Sequence, residues 1–204
     1  MADDRTTLPD KRARTSAPVH PLIADRWSPR ALDPDTQVTD TQLRSLLEAA
    51  RWAASYGNTQ PARYLVGRRG DDTYRRIFGV LTKRNQSWAH AAAVLMLAVA
   101  VTRNDKGDIP HAEYGLGLAS QNLVLQAVAD GLVAHQMGGF DADAASTEFD
   151  LPADARPLVV IAVGGLGDPN ALDERARDRE TRPRSRLELG EIAFGGAWGS
   201  PLFP

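Results

Sequence analysis

The apolar positions of the chain change period several times, and each change predicts an element. From Val38 the spacing is helical, with Leu43, Leu46, Leu47, Ala50 and Ala54 on one face. Thr39 and Gln42 stand at capping-box spacing and Val38 and Leu43 can close a hydrophobic staple, so a helix starts here. Ser55-Tyr56-Gly57-Asn58 breaks it, and after Pro61 the run Tyr64-Leu65-Val66 predicts a short strand. Residues 73–88 predict a surface helix. Residues 93–101 are apolar on both faces and partly β-branched, the pattern of a central strand, and Arg103-Asn104-Asp105-Lys106-Gly107 then turns the chain. Residues 113–130 are apolar nearly all round with small residues at Gly115, Gly117 and Ala119, which predicts a buried helix with close neighbours, and Gly131 stands at its C-cap. Residues 132–136 and 158–163 predict two more strands, separated by a helix-like stretch at 142–149. Residues 173–180 form a charged helix or an extended arm.

Strands and helices alternate without a strict βαβ rhythm, so the pattern predicts an α+β or α/β layered sheet rather than a helical bundle. Residues 1–20 carry charge and little apolar content and are expected to be a flexible arm, leaving residues 21–204 as one domain. A length of 204 residues with 43% hydrophobic and 25% charged residues suits one such core. No repeat or low-complexity tract divides it.

Charge and composition narrow the function. Lys and Arg total 24 against 26 Asp and Glu, a net charge of -2, so the whole-molecule field does not attract nucleic acid. There is no cysteine, which excludes disulfides, thiolate metal sites and a cysteine nucleophile and makes a reduced cytoplasmic setting the simplest compartment. The longest apolar run is shorter than the ~20 residues a membrane helix needs, and no signal-peptide core is present, so a soluble, unexported protein is expected. Any redox chemistry must use a cofactor.

Several motifs fail. Gly164-Gly165-Leu166-Gly167 follows a strand, but Asn170 stands where a dinucleotide fingerprint needs its last glycine and Pro169 interrupts the phosphate helix, so a plain turn is expected. His20, His90, His111 and His135 share no metal-ligand spacing; His135, expected to end a strand, reads as a core or edge histidine. No nucleophile elbow or Walker loop occurs.

Four polar clusters remain. Arg26-Trp27-Ser28-Pro29-Arg30 alternates guanidinium and hydroxyl, suited to bidentate phosphate contacts but equally a solvated charge run. Ser55 through Gln60 could bond the edge of a heterocycle or pass as a polar loop. Gln136-Met137-Gly138-Gly139-Phe140-Asp141, with two glycines after a buried strand, could expose backbone N–H groups, and Arg182-Pro183-Arg184-Ser185-Arg186 could be neutralised by Asp173, Glu174, Asp178 and Glu180. Together they make sense if they converge on one planar, anionic ligand.

In this order and spacing the clusters resemble the FMN-dependent nitroreductase family. The resemblance rests on Arg26-Trp27-Ser28-Pro29-Arg30, on Glu48-Ala49-Ala50-Arg51-Trp52-Ala53 leading to Asn58-Thr59-Gln60-Pro61, on Asn85-Gln86 with Trp88, on Gly139-Phe140-Asp141 and on Arg184-Ser185-Arg186. It spans about residues 22–192, and Asn-x-Gln-Pro is its most specific element.

The resemblance implies a three-layer α+β fold with a central mixed β-sheet flanked by helices, in an intertwined homodimer with two FMN sites built from both chains. Arg26, Ser28 and Arg30 would hold the phosphate and ribityl chain with Arg184 and Arg186, Asn85 would bond the pyrimidine end, Ser55 and Asn58 would approach the ring from the partner subunit, and Trp27 and Gln60 would also belong to the cofactor site. Gly138 and Gly139 would lie near flavin N5, which receives the hydride, so no side chain need act as acid or base. NADH or NADPH would donate electrons in ping-pong turnover to a nitroaromatic, quinone or similar planar acceptor. Three departures from the family pattern stand out: Trp27 replaces a usual basic residue and costs the clamp one charge, Ala62 stands where a large aromatic is common, and Gly138 replaces an acid found in some members. The alternatives are another FMN chemistry on the same fold (dehydrogenation, dehalogenation, flavin fragmentation) and a non-catalytic flavin-binding protein.

Overall fold

A computed structural model describes residues 10–203. The helices are α1 (Pro21–Asp25), α2 (Asp40–Arg51), α3 (Asp72–Gly79), α4 (Lys83–Ala89), α5 (Ala112–Ala129), α6 (Ala142–Glu148), α7 (Glu174–Thr181) and α8 (Leu189–Ile192). The strands are β1 (Leu32–Asp33), β2 (Ala62–Arg68), β3 (Val94–Val101), β4 (Arg103–Asn104), β5 (Gly107–Asp108), β6 (Val133–Met137) and β7 (Ala155–Leu166). The main sheet runs β1-β7-β3-β2, with β6 also pairing β7. The strands of the expected mixed sheet are antiparallel at each of these pairings, and β4 and β5 form a separate hairpin.

The α+β class and its three layers follow from the period-two alternation of β3. Val94, Met96, Ala98 and Ala100 face a core closed by Leu46 and Ala50 of α2 and by Leu116, Leu123 and Val124 of α5. Leu95, Leu97 and Val99 face the opposite core, closed by Tyr74 and Ile77 of α3, Trp88 of α4 and Ala145 of α6. The expected capping box starts α2: Thr39 accepts from the Gln42 backbone and the Gln42 side chain accepts from the Thr39 N–H. Gly131, at φ 72°, follows α5 in the left-handed conformation that only glycine adopts without strain.

Three expectations change. The single helix over residues 73–88 is two helices, because Leu81 is buried and bridges to Phe140 while the Thr82 N–H donates to the Gly139 carbonyl; an unbroken surface helix would sacrifice both. The expected turn at Gly164-Gly165-Leu166-Gly167 is instead the end of β7 and its exit. There Leu166 and Gly165 pair with Leu32 and Asp33 of β1. A Cβ at Gly165 would collide with the Thr36 side chain and one at Gly167 would lie 2.5 Å from the Leu32 carbonyl carbon, so these glycines permit close approach rather than turning. His135 lies within β6, with two strand residues after it.

Of the expected arm, residues 1–9 lie outside the described residues. From Asp10 the segment is bonded to the body: Ala13 N–H donates to the Ala24 carbonyl at 2.9 Å, Arg12 pairs with Asp25 at 2.6 Å, and the Arg184 guanidinium donates to the Lys11 carbonyl at 2.7 Å. No helix among the described residues is long and apolar enough to cross a membrane.

Candidate functional site

Two arginine clusters more than 150 residues apart in sequence meet at one hollow of about 210 Å³. Arg26, Trp27, Ser28 and Arg30 line it from one side and Arg184 and Arg186 from the other, with Lys11, Arg179 and Arg182 beside them. Among the described residues none of these cations forms an ion pair with an acid. Arg26 donates to the Ser28 hydroxyl at 3.2 Å, and Arg184 to the Ala24 carbonyl at 2.8 Å. Burial, then Arg184, then Arg186 push Arg26 below the usual arginine range; burial and Arg186 act on Arg184 in the same direction. Confining like charges this closely is unfavourable unless an anion joins them.

Two buried polar groups hold the hollow's wall. Glu180, fully buried at the end of α7, accepts from the Arg30 N–H with both carboxylate oxygens, at 2.9 and 3.0 Å, and from the Ala31 N–H at 3.0 Å. Its oxygens are held by backbone donors and its charge acts on Arg30 and Lys11, while among the described residues it forms no ion pair with the C-terminal arginines that acids of this segment could have neutralised. His135 bonds the Pro29 carbonyl through Nδ1 at 2.8 Å, with its ring 4.6 Å from that of Trp88. Burial pushes its pKa down to about 4, with Arg30 and Arg26 acting the same way against the Pro29 and Ser28 carbonyls. A neutral His135 therefore fastens the Ser28-Pro29-Arg30 segment to β6.

The same strand leads to Gly138 and Gly139. Asn85 of α4 donates its amide to the Gly139 carbonyl at 2.9 Å, and the Thr82 hydroxyl joins it at 3.1 Å. A side chain at Gly139 would strike Asn85 at 2.6 Å, which explains glycine there. Asn85 and Trp88 share a face of α4 (i, i+3), so one helix touches both His135 beneath the basic hollow and Gly139. The Asn85 carbonyl oxygen remains available as an acceptor.

Ser55, Asn58 and Gln60 lie elsewhere. Their loop borders an apolar hollow of about 270 Å³ between α2, β2 and α5, with Ser55, Gln60 and Ala62 on its rim. Ser55 accepts from the Gln60 N–H at 3.0 Å, and Gln60 donates its amide to the Asn58 carbonyl at 3.2 Å. Gly57, Asn58 and Gln60 have φ of 51°, 56° and 51°. Two non-glycine residues in the left-handed region within three positions mark a strained loop of the kind concentrated at binding sites. Beside β2 it is separated from β6 by β3 and β7, three inter-strand steps or about 14 Å. Along β7, the six residues from Arg156, level with Ala62 through Ala100, to Ala162, level with His135, add about 20 Å. One chain thus gathers Arg26, Trp27, Ser28, Arg30, Arg184 and Arg186, sets Asn85, Gly138 and Gly139 along the same edge, and leaves Ser55, Asn58 and Gln60 apart.

Sequence reasoning missed Lys11, Glu180 and the anchoring role of His135. Lys11 lay in a segment read as flexible, and Glu180 among acids read as a solvated face. Only the apolar positions around His135 hinted that it is buried.

Comparison with known proteins agrees with this architecture. Residues 23–81 and 70–165 match the model of the nitroreductase family. An uncharacterised 15.4 kDa protein of Mycolicibacterium smegmatis is 41% identical over 148 residues, covering 69% of this chain and 99% of that protein. A Streptomyces coelicolor protein provisionally named NADH dehydrogenase/NAD(P)H nitroreductase is 29% identical over 165 residues, 70% of this chain and 81% of its own. A crystal structure described as an oxidoreductase containing FMN superposes with a TM-score of 0.86 at 31% identity, covering 92% of this chain and 96% of that one.

Proposed function

Because the chain belongs to the nitroreductase family, we propose that it is an FMN-dependent oxidoreductase whose basic hollow takes the flavin phosphate. The observation that carries this reading is the meeting of Arg26 and Arg30 with Arg184 and Arg186 in a hollow where, among the described residues, none of them forms an ion pair with an acid. A phosphate dianion supplies the missing counter-charge, and planar guanidinium forks give it bidentate contacts. The donor set fits the group: four arginines, the Ser28 hydroxyl and a wall fixed by Glu180 and His135. A similar structure contains FMN, which supports the assignment.

When bound, FMN supplies the two-electron relay between NAD(P)H and a planar acceptor such as a nitroaromatic or quinone. The chain's own residues bind and orient. Arg26, Ser28, Arg30, Arg184 and Arg186 hold the phosphate end; Asn85 offers its free carbonyl oxygen to a ring N–H; Gly138 and Gly139 keep side chains away from the ring. Ser55, Asn58 and Gln60 reach a flavin only from a second copy, so the working unit is a homodimer. Successive use of one open face by donor and acceptor gives ping-pong kinetics. The name of the Streptomyces relative supports a nicotinamide donor.

Purified protein titrated with FMN tests the binding, and stopped-flow absorbance with NADH and with NADPH tests the turnover. Flavin bound tightly and bleached by either nucleotide is expected. A colourless protein that never takes up FMN refutes the reading, and bound flavin that neither nucleotide bleaches makes this a flavin-binding protein.

A further inference from the structure

The charge absent at position 27 returns from another part of the chain. Lys11, only 9% exposed, lines the same hollow as Arg26, Ser28, Arg30, Arg184 and Arg186. Its ammonium sits 5.0 Å from the centroid of the Trp27 ring and donates to the Arg182 carbonyl. We propose that Lys11, carried in by the N-terminal segment and seated on the indole of Trp27, is a fifth cation of the FMN phosphate site; this rests on the flavin reading above.

Three observations support it. The segment bearing Lys11 is fastened at Lys11 and the two residues after it, by the Arg184 bond to the Lys11 carbonyl, the Arg12–Asp25 pair and the Ala13–Ala24 backbone bond, so its position is set by the fold. An ammonium has three hydrogens, and the bond to Arg182 uses one, which leaves donors for an incoming oxygen. Among the described residues no carboxylate forms an ion pair with it; Glu180, the acid whose charge acts on it, is held by the Arg30 and Ala31 N–H groups. The indole accounts for the exchange of roles. A cation is held over its face, so a tryptophan at 27 positions a lysine where a basic residue at 27 would have supplied the charge itself. Burial lowers the lysine's proton affinity, Glu180 opposes and Arg184 reinforces this, and an arriving phosphate would reverse it.

The test compares two ligands that differ only in the phosphate. Full-length apoprotein and Lys11→Met, which keeps the aliphatic stem over Trp27 and removes the charge, are titrated with FMN and with riboflavin by quenching of flavin fluorescence. The expected result is a dissociation constant for FMN raised about tenfold or more, the size of a lost charged hydrogen bond, with riboflavin affinity unchanged. Unchanged FMN affinity overturns the proposal. Equal weakening of both ligands also overturns it, since it makes Lys11 only a support for the segment. Failure of the unsubstituted protein to bind FMN sinks the flavin reading itself, and this one with it; binding by that protein with no effect of the substitution sinks this one alone.

Discussion

His135 should make stability fall across a defined pH window. Its ordinary pKa of 6.5 is pushed down to about 4, chiefly by burial, with Arg30 and Arg26 adding to it against the pull of the Pro29 and Ser28 carbonyls. The native protein keeps the ring neutral, with Nδ1–H donating to Pro29. Between pH 6.5 and 4 the unfolded chain takes up a proton that the native state refuses. The contribution of the neutral ring is therefore complete above the unfolded value and lost as pH falls toward the folded one. A depression of about 2.5 pH units at 1.36 kcal/mol each corresponds to about 3 kcal/mol, a large share of a domain's net stability. Urea unfolding of the unsubstituted protein and of His135→Gln at pH 7, 6, 5 and 4 measures it. Gln can still donate to Pro29 but cannot titrate, and the carboxylates and the other three histidines cancel in the difference. The stability advantage of the unsubstituted protein should shrink by about 3 kcal/mol between pH 7 and 4. A difference constant within about 0.5 kcal/mol, the usual error of additivity, would refute the reasoning.

Other perturbations test separate parts of the structure. Arg26→Ala combined with Arg184→Ala should release FMN, because each charged contact contributes roughly 1.5 to 3 kcal/mol; full flavin occupancy after gel filtration would disprove the clamp. Glu180→Ala leaves the Arg30 and Ala31 N–H groups without their acceptor and should cost at least about 2 kcal/mol in denaturant unfolding. Gly167→Ala pushes a methyl into the Leu32 backbone and should destabilise by about 1 to 3 kcal/mol, read as a lowered melting temperature. Thr39→Ala removes one half of the capping box of α2 and should cost about 1 kcal/mol.

What the sequence made legible was local or doubly constrained. The start of α2 could be read because Thr39 and Gln42 satisfy each other within one turn, and β3 because a strand covered on both faces must be apolar at successive positions. The division between α3 and α4 was hidden because its cause is remote: Leu81 bridges to Phe140 and Thr82 bonds Gly139. The glycines closing β7 misled for the same reason, since a turn and a close approach by Thr36 and Leu32 leave the same residue behind. The arginines were recognisable as a set only through the order of the motifs; composition offers no way to tell a phosphate clamp from a solvated charge run. Lys11 and Glu180 could not be found at all in this way. One is polar in a polar segment and the other acidic in an acidic helix, and only folding makes either exceptional.

The separation of the two polar clusters is itself a constraint on how the protein works. The loop of Ser55, Asn58 and Gln60 and the basic hollow occupy opposite edges of one sheet, too far apart to grip a single flavin from within one chain. In the proposed dimer each copy offers its loop to the other's hollow, so a two-fold axis yields two equivalent sites and neither is complete before association. The surface is consistent with such a pairing: Trp52 and Tyr56 beside the loop, Tyr114 on α5, and Leu187, Ile192, Trp198, Leu202 and Phe203 of the C-terminal segment are all exposed in the single chain. Leu187 directly follows Arg186, so the segment that would carry apolar contact between copies also carries two of the phosphate-binding arginines. In the proposed dimer, docking that segment on a partner would restrain Arg184 and Arg186 in the hollow, and an anion held there would restrain the segment in return. Cofactor affinity and association would then be one linked equilibrium, each strengthening the other by the same factor.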